Sequence, residues 1–145
     1  MSKALSTQAG VAAVEFAIVC SVFFTALLGV VEFGRLLWTW NAATEATRLG
    51  ARLAVVCDMN DADIEAQMIE RLPALTAGNI TIAYLDPPNA ENTCTVATCK
   101  AVRVSLTGYE HEMIIPFLPL TLTLPPFTTT LRREHMQSAS NPVCS

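Results

Sequence analysis

One carboxylate, that of Glu15, lies inside the most apolar part of the sequence, the 21-residue run Val11–Val31. A charge at the centre of a membrane costs about 2.5–3.5 kcal/mol; the cost is smaller near the start of a span, but Glu15 still needs a partner or a proton. No lysine or arginine lies within one helical turn of it. Cleavage after Gly10 would create a cation, because a free α-amine at Val11, with an ordinary pKa of about 7.7–8.0, is largely charged at neutral pH. Pairing of that amine with Glu15 of a neighbouring chain would fix the register of packed helices.

Histidines flanked by carboxylates are the other groups that could do acid–base chemistry. His111 lies between Glu110 and Glu112, and His135 follows Glu134. Neighbouring residues of a strand point to opposite faces, so neither cluster forms a local acid–base pair. The sequence also lacks a G-x-S-x-G elbow, a phosphate-binding glycine loop and an H-E-x-x-H motif. We therefore expect ordinary surface or core histidines, no enzymatic activity and no cofactor.

Four of the five cysteines lie beyond the apolar run, which in a small extracytoplasmic domain indicates two disulfides. Cys94 and Cys99 bracket four residues of one loop and are the first predicted pair; Cys57 and Cys144 are the second. Cys20, inside the apolar run, is expected to be a small apolar filler. A zinc site would need tighter or paired ligand spacing, so no metal is predicted.

The apolar run has the length of a membrane-spanning helix. At about 1.5 Å per residue it covers roughly 30 Å, the thickness of a bilayer's hydrocarbon core. A buried core helix is the alternative, but one so long and apolar is uncommon in a small protein. A secretory signal peptide would have an apolar region of about 7–15 residues and then a small-x-small cleavage site, whereas bulky residues follow this longer run. The short polar leader Met1–Gly10 is then cytoplasmic, although Lys3 and Arg35 leave the positive charge nearly balanced across the run.

Within the run, small residues recur at every fourth position and predict a face for close helix packing. They are Ala13, Ala17, Ser21, Thr25 and Gly29. Helical periodicity continues beyond the run, where one apolar face is predicted to pack on the outer domain. It consists of Ala42, Ala46, Leu49, Leu53 and Val56.

The remaining side chains of this second half are polar or aromatic. Glu45, Arg48 and Arg52 fall on a different face, which we expect to be solvated. Trp38 and Trp40 fit an interfacial aromatic belt, with packing in the core as the alternative.

These patterns place the elements as follows. One long helix is predicted from near Val11 to about Cys57, and a second from about Asp61 to Leu72, ended by Pro73. Beyond Gly78 the period changes to two, which predicts strands. The predicted strands are Ile80–Tyr84, Val102–Leu106, Leu120–Leu124 and Phe127–Leu131. A loop is predicted at Asp86–Lys100, and an edge or irregular segment at Pro116 and Pro119. The tail, Gln137–Ser145, is expected to be loose unless Cys144 ties it down.

The predicted fold class is α+β. A long N-terminal helix, half transmembrane and half amphipathic, is followed by a short helix and a small antiparallel sheet. The expected segments are a leader (1–10), a transmembrane helix (11–34), an amphipathic extension (35–57), an extracytoplasmic α+β domain (58–136) and a C-terminal tail (137–145).

The N-terminal third resembles a known family. Gly10 followed by V-A-A-V-E-F resembles a type IV prepilin processing site, with glutamate five residues into the mature chain. The continuation through the apolar run to an A-x-x-A-x-R-x-G-A-R stretch resembles the TadE-like proteins of the tight-adherence (Flp) pilus system. In those proteins a VEFA segment precedes the membrane helix, and a second acidic position follows it. Here the stretch consists of Ala43, Ala46, Arg48, Gly50, Ala51 and Arg52.

The resemblance implies a pilin-like fold and a pseudopilin or minor pilin that acts in pilus assembly for adherence. A prepilin peptidase would cut between Gly10 and Val11, and Glu15 and Phe16 would serve processing and assembly. The implied partners are the peptidase, other pilins or pseudopilins, the inner-membrane assembly platform and membrane lipid. The implied location is a single-pass inner-membrane protein with its C-terminal domain in the periplasm, or a subunit of the pilus itself.

Plainer interpretations stay open. Gly10 would then be a flexible leader residue, and Glu15 an interfacial carboxylate that reaches back to lipid headgroups. The chain would be an uncleaved, membrane-anchored binding or scaffold module. The net charge of −4, without a basic stripe, gives no reason to expect nucleic-acid binding.

Overall fold

A computed structural model describes residues 5–114 and 120–144, with only the backbone described for residues 5–9. Two α-helices, a short 3₁₀ turn and five strands follow one another along the chain. They are α1 (Leu5–Ala54), α2 (Ala62–Arg71), the 3₁₀ turn (Ala77–Asn79), β1 (Ile80–Leu85), β2 (Ala101–Leu106), β3 (Glu110–Glu112), β4 (Thr121–Thr123) and β5 (Phe127–Arg132). The predicted α+β class, with a long N-terminal helix and small antiparallel sheets, is confirmed.

Helix α1 has 50 residues and, at about 1.5 Å per residue, is roughly 75 Å long. It begins at Leu5, within the leader segment, whereas the predicted start was near Val11. It ends three residues before the predicted Cys57. There, the backbone N–H groups of Val56 and Cys57 both donate to the carbonyl of Leu53, which closes the chain into a turn.

The C-terminal half of α1 carries the core of the outer domain. On the predicted apolar face Ala46 and Leu53 are buried and Ala42, Leu49 and Val56 are half-buried. The charged face is exposed as expected, and Arg48 donates to Glu45 at 2.9 Å. The predicted face therefore packs on the outer domain in part, at one edge of a buried side whose other members are Ala43, Thr47, Gly50, Ala51 and Ala54.

Helix α2 packs on α1 at a point where α1 has no side chain. Asp61 caps α2 by accepting a hydrogen bond from the Asp63 N–H at 3.1 Å, and Ile64 and Met68 on its inner face are fully buried. A β-carbon built on Gly50 would lie 2.3 Å from Met68 Sδ. Gly50 therefore permits the close approach of the two helices.

The main sheet is antiparallel with the order β1-β2-β5. In its central strand, Val102, Val104 and Leu106 are buried, as the alternation predicted. Strands β2 and β5 lie against α1. Strand β5 ends at Arg132, one residue beyond the prediction.

The strand predicted at Leu120–Leu124 was too long. It is reduced to Thr121–Thr123, and it pairs with β3, which was not predicted, in a separate two-stranded sheet. Only Leu124 of its three leucines is buried. The polar triplet Glu110–Glu112 has little intrinsic preference for strand, so its extended conformation depends on pairing with β4. Pro116 and Pro119 lie outside the described residues.

Two disulfides are present, joining Cys57 to Cys144 and Cys94 to Cys99, with Cα–Cα distances of 5.6 and 5.1 Å. The first ties down the tail through Cys144, which was the condition under which the tail was not expected to be loose. Further bonds hold the tail: the Gln137 N–H donates to the Val56 carbonyl at 2.9 Å, and Gln67 donates to the Val143 carbonyl at 3.0 Å.

Candidate functional site

The predicted processing and assembly residues lie on an uncovered helix. Gly10, Val11, Glu15 and Phe16 are all exposed, with 61% of Val11 and 70% of Phe16 accessible. Among the residues that the structure describes, none forms an ion pair or side-chain hydrogen bond with Glu15. Helix α1 is long and apolar enough to cross a membrane, and none of its most apolar 18-residue window is buried within the protein. The structure thus places these residues together on one helix, where the described part of the chain leaves them uncovered.

The row of small residues lies on the same bare helix. Ser21 donates its hydroxyl to the Ala17 carbonyl and Thr25 to the Ser21 carbonyl, both at 2.7 Å. These hydroxyls are therefore satisfied within the helix and do not need a polar partner outside it. The row Ala13 to Gly29 is exposed along its length and offers a narrow surface for a second helix.

A polar cluster at the end of the apolar run was not predicted. Glu32 is only 7% exposed, although it follows directly after Val31. Its carboxylate accepts from Arg35 Nη1 at 2.8 and 2.9 Å. His111 Nε2 lies 3.0 Å from Glu32 Oε1, and the Ile114 N–H donates to Oε2 at 3.3 Å.

This cluster attaches the β3–β4 hairpin to α1. His111 is 4% exposed and lies on the inward face of β3, between two exposed glutamates, so its predicted neighbours point away from it. Its partner comes from α1, 79 residues earlier. One sequence signal could have identified Glu32: the triplet V-E-F occurs at residues 14–16 and again at residues 31–33.

The two tryptophans have different surroundings. Trp38 is 62% exposed, as expected for an interfacial aromatic residue. Trp40 is partly covered, because its ring meets Phe127 of β5 edge-on with the centroids 5.0 Å apart. Trp40 is nevertheless 43% exposed, so neither tryptophan is packed in the core.

The remaining residues considered in the sequence are two histidine or cysteine side chains and the possible metal ligands. His135 is exposed and lies 2.8 Å from the Gln137 side chain. Cys20 is a free, half-buried thiol. Across the described ranges 5–114 and 120–144, no group of three or more histidine, cysteine, aspartate or glutamate side chains could hold a metal ion.

Comparison with known proteins finds a similarity over most of helix α1. The family model of TadE-like protein matches residues 10–52, which contain the Gly10–Phe16 segment, the bare helix, Glu32 and Gly50. No curated protein and no solved structure matches the chain. The match covers less than a third of the sequence, and the sheets and α2 lie outside it. The resemblance drawn from the sequence is thereby confirmed over residues 10–52, which are similar to TadE-like protein.

Proposed function

We propose that this protein is a membrane-anchored pseudopilin or minor pilin that acts in assembly of a Tad (Flp) pilus, and that a prepilin peptidase cleaves it between Gly10 and Val11. The family match over residues 10–52 is the observation that carries the proposal. TadE-like proteins are structural components of the pilus and not an enzyme family. The single apolar helix supports membrane anchoring.

Cleavage after Gly10 fits the local chemistry. Gly10 lies inside α1, where glycine costs roughly 1 kcal/mol relative to alanine, so the helix unwinds more easily here than at the neighbouring alanines. A cut there places a new ammonium group at Val11, four residues before Glu15, a carboxylate that forms no ion pair with any of the described residues. The liberated amine would then pair with Glu15 of an adjacent subunit.

Lateral packing would use the bare half of α1. Its exposed valine, phenylalanine and leucine side chains need lipid or other helices around them, and the small residues from Ala13 to Gly29 allow close approach of a neighbour. Packing of this kind would set the distance between neighbouring helices. The Val11–Glu15 pair would set how far one subunit is shifted along the helix axis relative to the next. The partners we infer are other pilins or pseudopilins and the inner-membrane assembly platform.

The proposed orientation puts the outer domain in the periplasm. Both disulfides lie in or next to that domain, and disulfides persist in oxidising compartments. The leader would then be on the cytoplasmic side.

The mass and N-terminal sequence of the protein purified from its native host test the proposal. We expect the mature chain to begin at Val11. Gly10→Leu should block cleavage, because a bulky side chain replaces hydrogen at the scissile position. Gly34→Leu is the matched control, since a β-carbon at either glycine meets no atom within 4 Å. A wild-type chain that keeps residues 1–10 in a host with active prepilin peptidase would overturn the proposal and favour an uncleaved anchored module.

A further inference from the structure

The main sheet has one edge that its own chain covers in part, the edge formed by β1. The Asn92 side chain accepts from the Tyr84 N–H at 2.8 Å, and the Asn92 N–H donates to the Tyr84 carbonyl at 2.7 Å. At the other end of the strand, the Ile80 N–H donates to the Ala77 carbonyl. Both ends of β1 are therefore occupied by segments of the same chain, which limits pairing with another strand.

The opposite edge, formed by β5, is open. All six residues of β5 pair with β2 without a bulge, and beyond them the Arg133 N–H donates to the Lys100 carbonyl. Because hydrogen-bonded positions alternate along an antiparallel strand, the backbone groups of Thr128, Thr130 and Arg132 point away from β2. Across residues 5–114 and 120–144, no group forms a hydrogen bond with these outward N–H and C=O groups. Such a row of unpaired groups is a template for an added strand.

A groove runs between this edge and the outer half of α1. Trp40 meets Phe127 at the start of β5, and Arg52 lines the groove with Leu131 and Arg132 at the end of β5. Strand β5 therefore runs alongside α1 in the same direction. The groove has a volume of about 440 Å³, and none of the described residues of β2 lines it, so it lies on the open side of β5.

This side of the domain is basic, although the net charge of the chain is −4. A second groove adjoins the first at Arg52 and extends to Arg71 at the end of α2. Four arginines and two glutamates line the two grooves: Arg48, Arg52, Arg71, Arg132, Glu45 and Glu134. Of the four arginines, only Arg48 forms an ion pair with a described residue, Glu45. The unpaired guanidinium groups favour a partner that carries carboxylates.

Two other occupants do not fit this edge. Arg52 lies 20 residues beyond Glu32, about 30 Å along α1, so the lipid headgroups at the end of the apolar run are out of its reach. Antiparallel pairing of β5 with β5 of a second copy would relate the copies by a twofold axis perpendicular to the strands. The two α1 helices would then point in opposite directions and could not cross one bilayer in the same orientation.

We propose that the open edge of β5 binds an extended segment of a partner protein as an added strand, and that Arg52 and Arg132 select a segment with two adjacent carboxylates. Neighbouring residues of a strand point to opposite faces, so one carboxylate would meet Arg132 on the outer face and the next would meet Arg52 beside α1. Main-chain hydrogen bonds to Thr128 and Thr130 would supply affinity, and the arginines would supply specificity. The inference goes beyond the proposed function and does not depend on cleavage after Gly10.

Synthetic peptides test the selection by charge. The full chain is placed in nanodiscs at one copy per disc, and fluorescence anisotropy measures binding of a short peptide of alternating threonine and valine with two adjacent glutamates at its centre. The matched control peptide has two lysines in their place. We expect the glutamate peptide to bind at least about tenfold more tightly. Equal affinity of the two peptides, or no binding of the glutamate peptide at about 1 mM, would overturn the proposal.

Two substitutions separate the arginine contact from the backbone contact. Arg132→Gln should weaken binding of the glutamate peptide roughly fivefold, because one cross-strand charge pair is lost. Arg103→Gln is its control, since Arg103 lies on β2 and pairs with Glu91 outside the groove. Thr130→Pro removes an N–H that the sheet does not use and should abolish binding, whereas Thr130→Val keeps that N–H and should bind normally. Unchanged binding in Arg132→Gln or in Thr130→Pro would contradict the proposal.

Amide hydrogen exchange of the wild-type chain locates the added strand and does not require Thr130→Pro to fold. Bound glutamate peptide should slow exchange of the Thr130 N–H about tenfold, whereas the Thr129 N–H, already paired with β2, should change little. Unchanged exchange at Thr130 with the peptide bound would overturn the proposal. Slow exchange at Thr130 without peptide, seen only with two copies per disc, would also overturn it, because a second copy would then occupy the edge.

Discussion

At the scale of single residues, two glutamates in identical V-E-F triplets have opposite surroundings. Glu32 is buried and accepts hydrogen bonds from Arg35 and the Ile114 backbone beside His111. Glu15 is exposed, and the described part of the chain offers it no ion pair. Glu32 therefore serves contacts within the subunit. Glu15 is available for a contact between subunits, which is the role the proposed function gives it.

Glu15→Gln should impair pilus assembly without preventing membrane insertion, because the amide keeps the shape but removes the charge that would meet the Val11 amine. A loss of about 1.4 kcal/mol corresponds to a tenfold change in an equilibrium, so we expect roughly tenfold fewer pili by electron microscopy. Glu45→Gln is the control, since Glu45 is an exposed glutamate on the outer half of α1. Normal piliation in Glu15→Gln cells would contradict the proposed pairing.

At the scale of the elements, α1 is one continuous helix with two different environments. From Gly10 to Val31 it is bare, whereas its second half is covered by α2, β2 and β5. Helix α2 comes close to α1 at Gly50, which belongs to the A-x-x-A-x-R-x-G-A-R stretch. This stretch therefore has a structural explanation: its alanines and glycine pack inward, and Arg48 and Arg52 face outward.

Gly50→Ala should destabilise the outer domain. The added methyl group would lie 2.3 Å from Sδ and 3.0 Å from Cγ of the fully buried Met68, so the whole side chain must move. Overpacking costs about 1–3 kcal/mol, which outweighs or cancels the gain of at most about 1 kcal/mol in helix propensity. Thermal unfolding of the full chain in detergent should show a Tm several degrees lower.

Two variants make this test specific. Gly34→Ala meets no atom within 4 Å and should be neutral or stabilising. Met68→Ala in the Gly50→Ala background should relieve the clash, so that the two substitutions together cost less than the sum of their separate effects. A Gly50→Ala chain as stable as Gly34→Ala would show that the helices do not meet at this point.

At the scale of the whole molecule, long-range links hold a small domain to a long helix. The Cys57–Cys144 disulfide joins the turn after α1 to the end of the described chain, 87 residues later. Nearby, Ser138 donates its hydroxyl to the Asp61 carboxylate and accepts from the Asp58 N–H at 2.8 Å. The pKa of Asp61 lies below its usual range, with the Ser138 hydrogen bond as the main cause. The tail, the end of α1 and the start of α2 therefore form one corner of the structure.

The two disulfides should differ in their effect on stability, because a longer loop loses more freedom in the unfolded chain. Loop entropy gives about 4.6 kcal/mol for the Cys57–Cys144 loop and about 2 kcal/mol for Cys94–Cys99. We expect Cys57→Ala with Cys144→Ala to lower the free energy of unfolding by more than Cys94→Ala with Cys99→Ala, as measured by urea denaturation. An equal or reversed order would mean that the tail contributes little to the native fold.

The sequence by itself determined the features with a local signature. The apolar run, the amphipathic half of α1, the α+β class and β2 each follow from a period or composition that a short window of residues displays. The TadE-like segment was recognisable for the same reason, because its motif lies within residues 10–52.

Only the tertiary structure decided the contacts between distant segments. Glu32 and His111 are 79 residues apart, and neither position shows its partner in the surrounding sequence. Strand β3 is extended because β4 pairs with it, and the pairing in turn depends on the anchor to α1. Such contacts form when folding brings separate surfaces together, so periodicity along the chain carries no record of them.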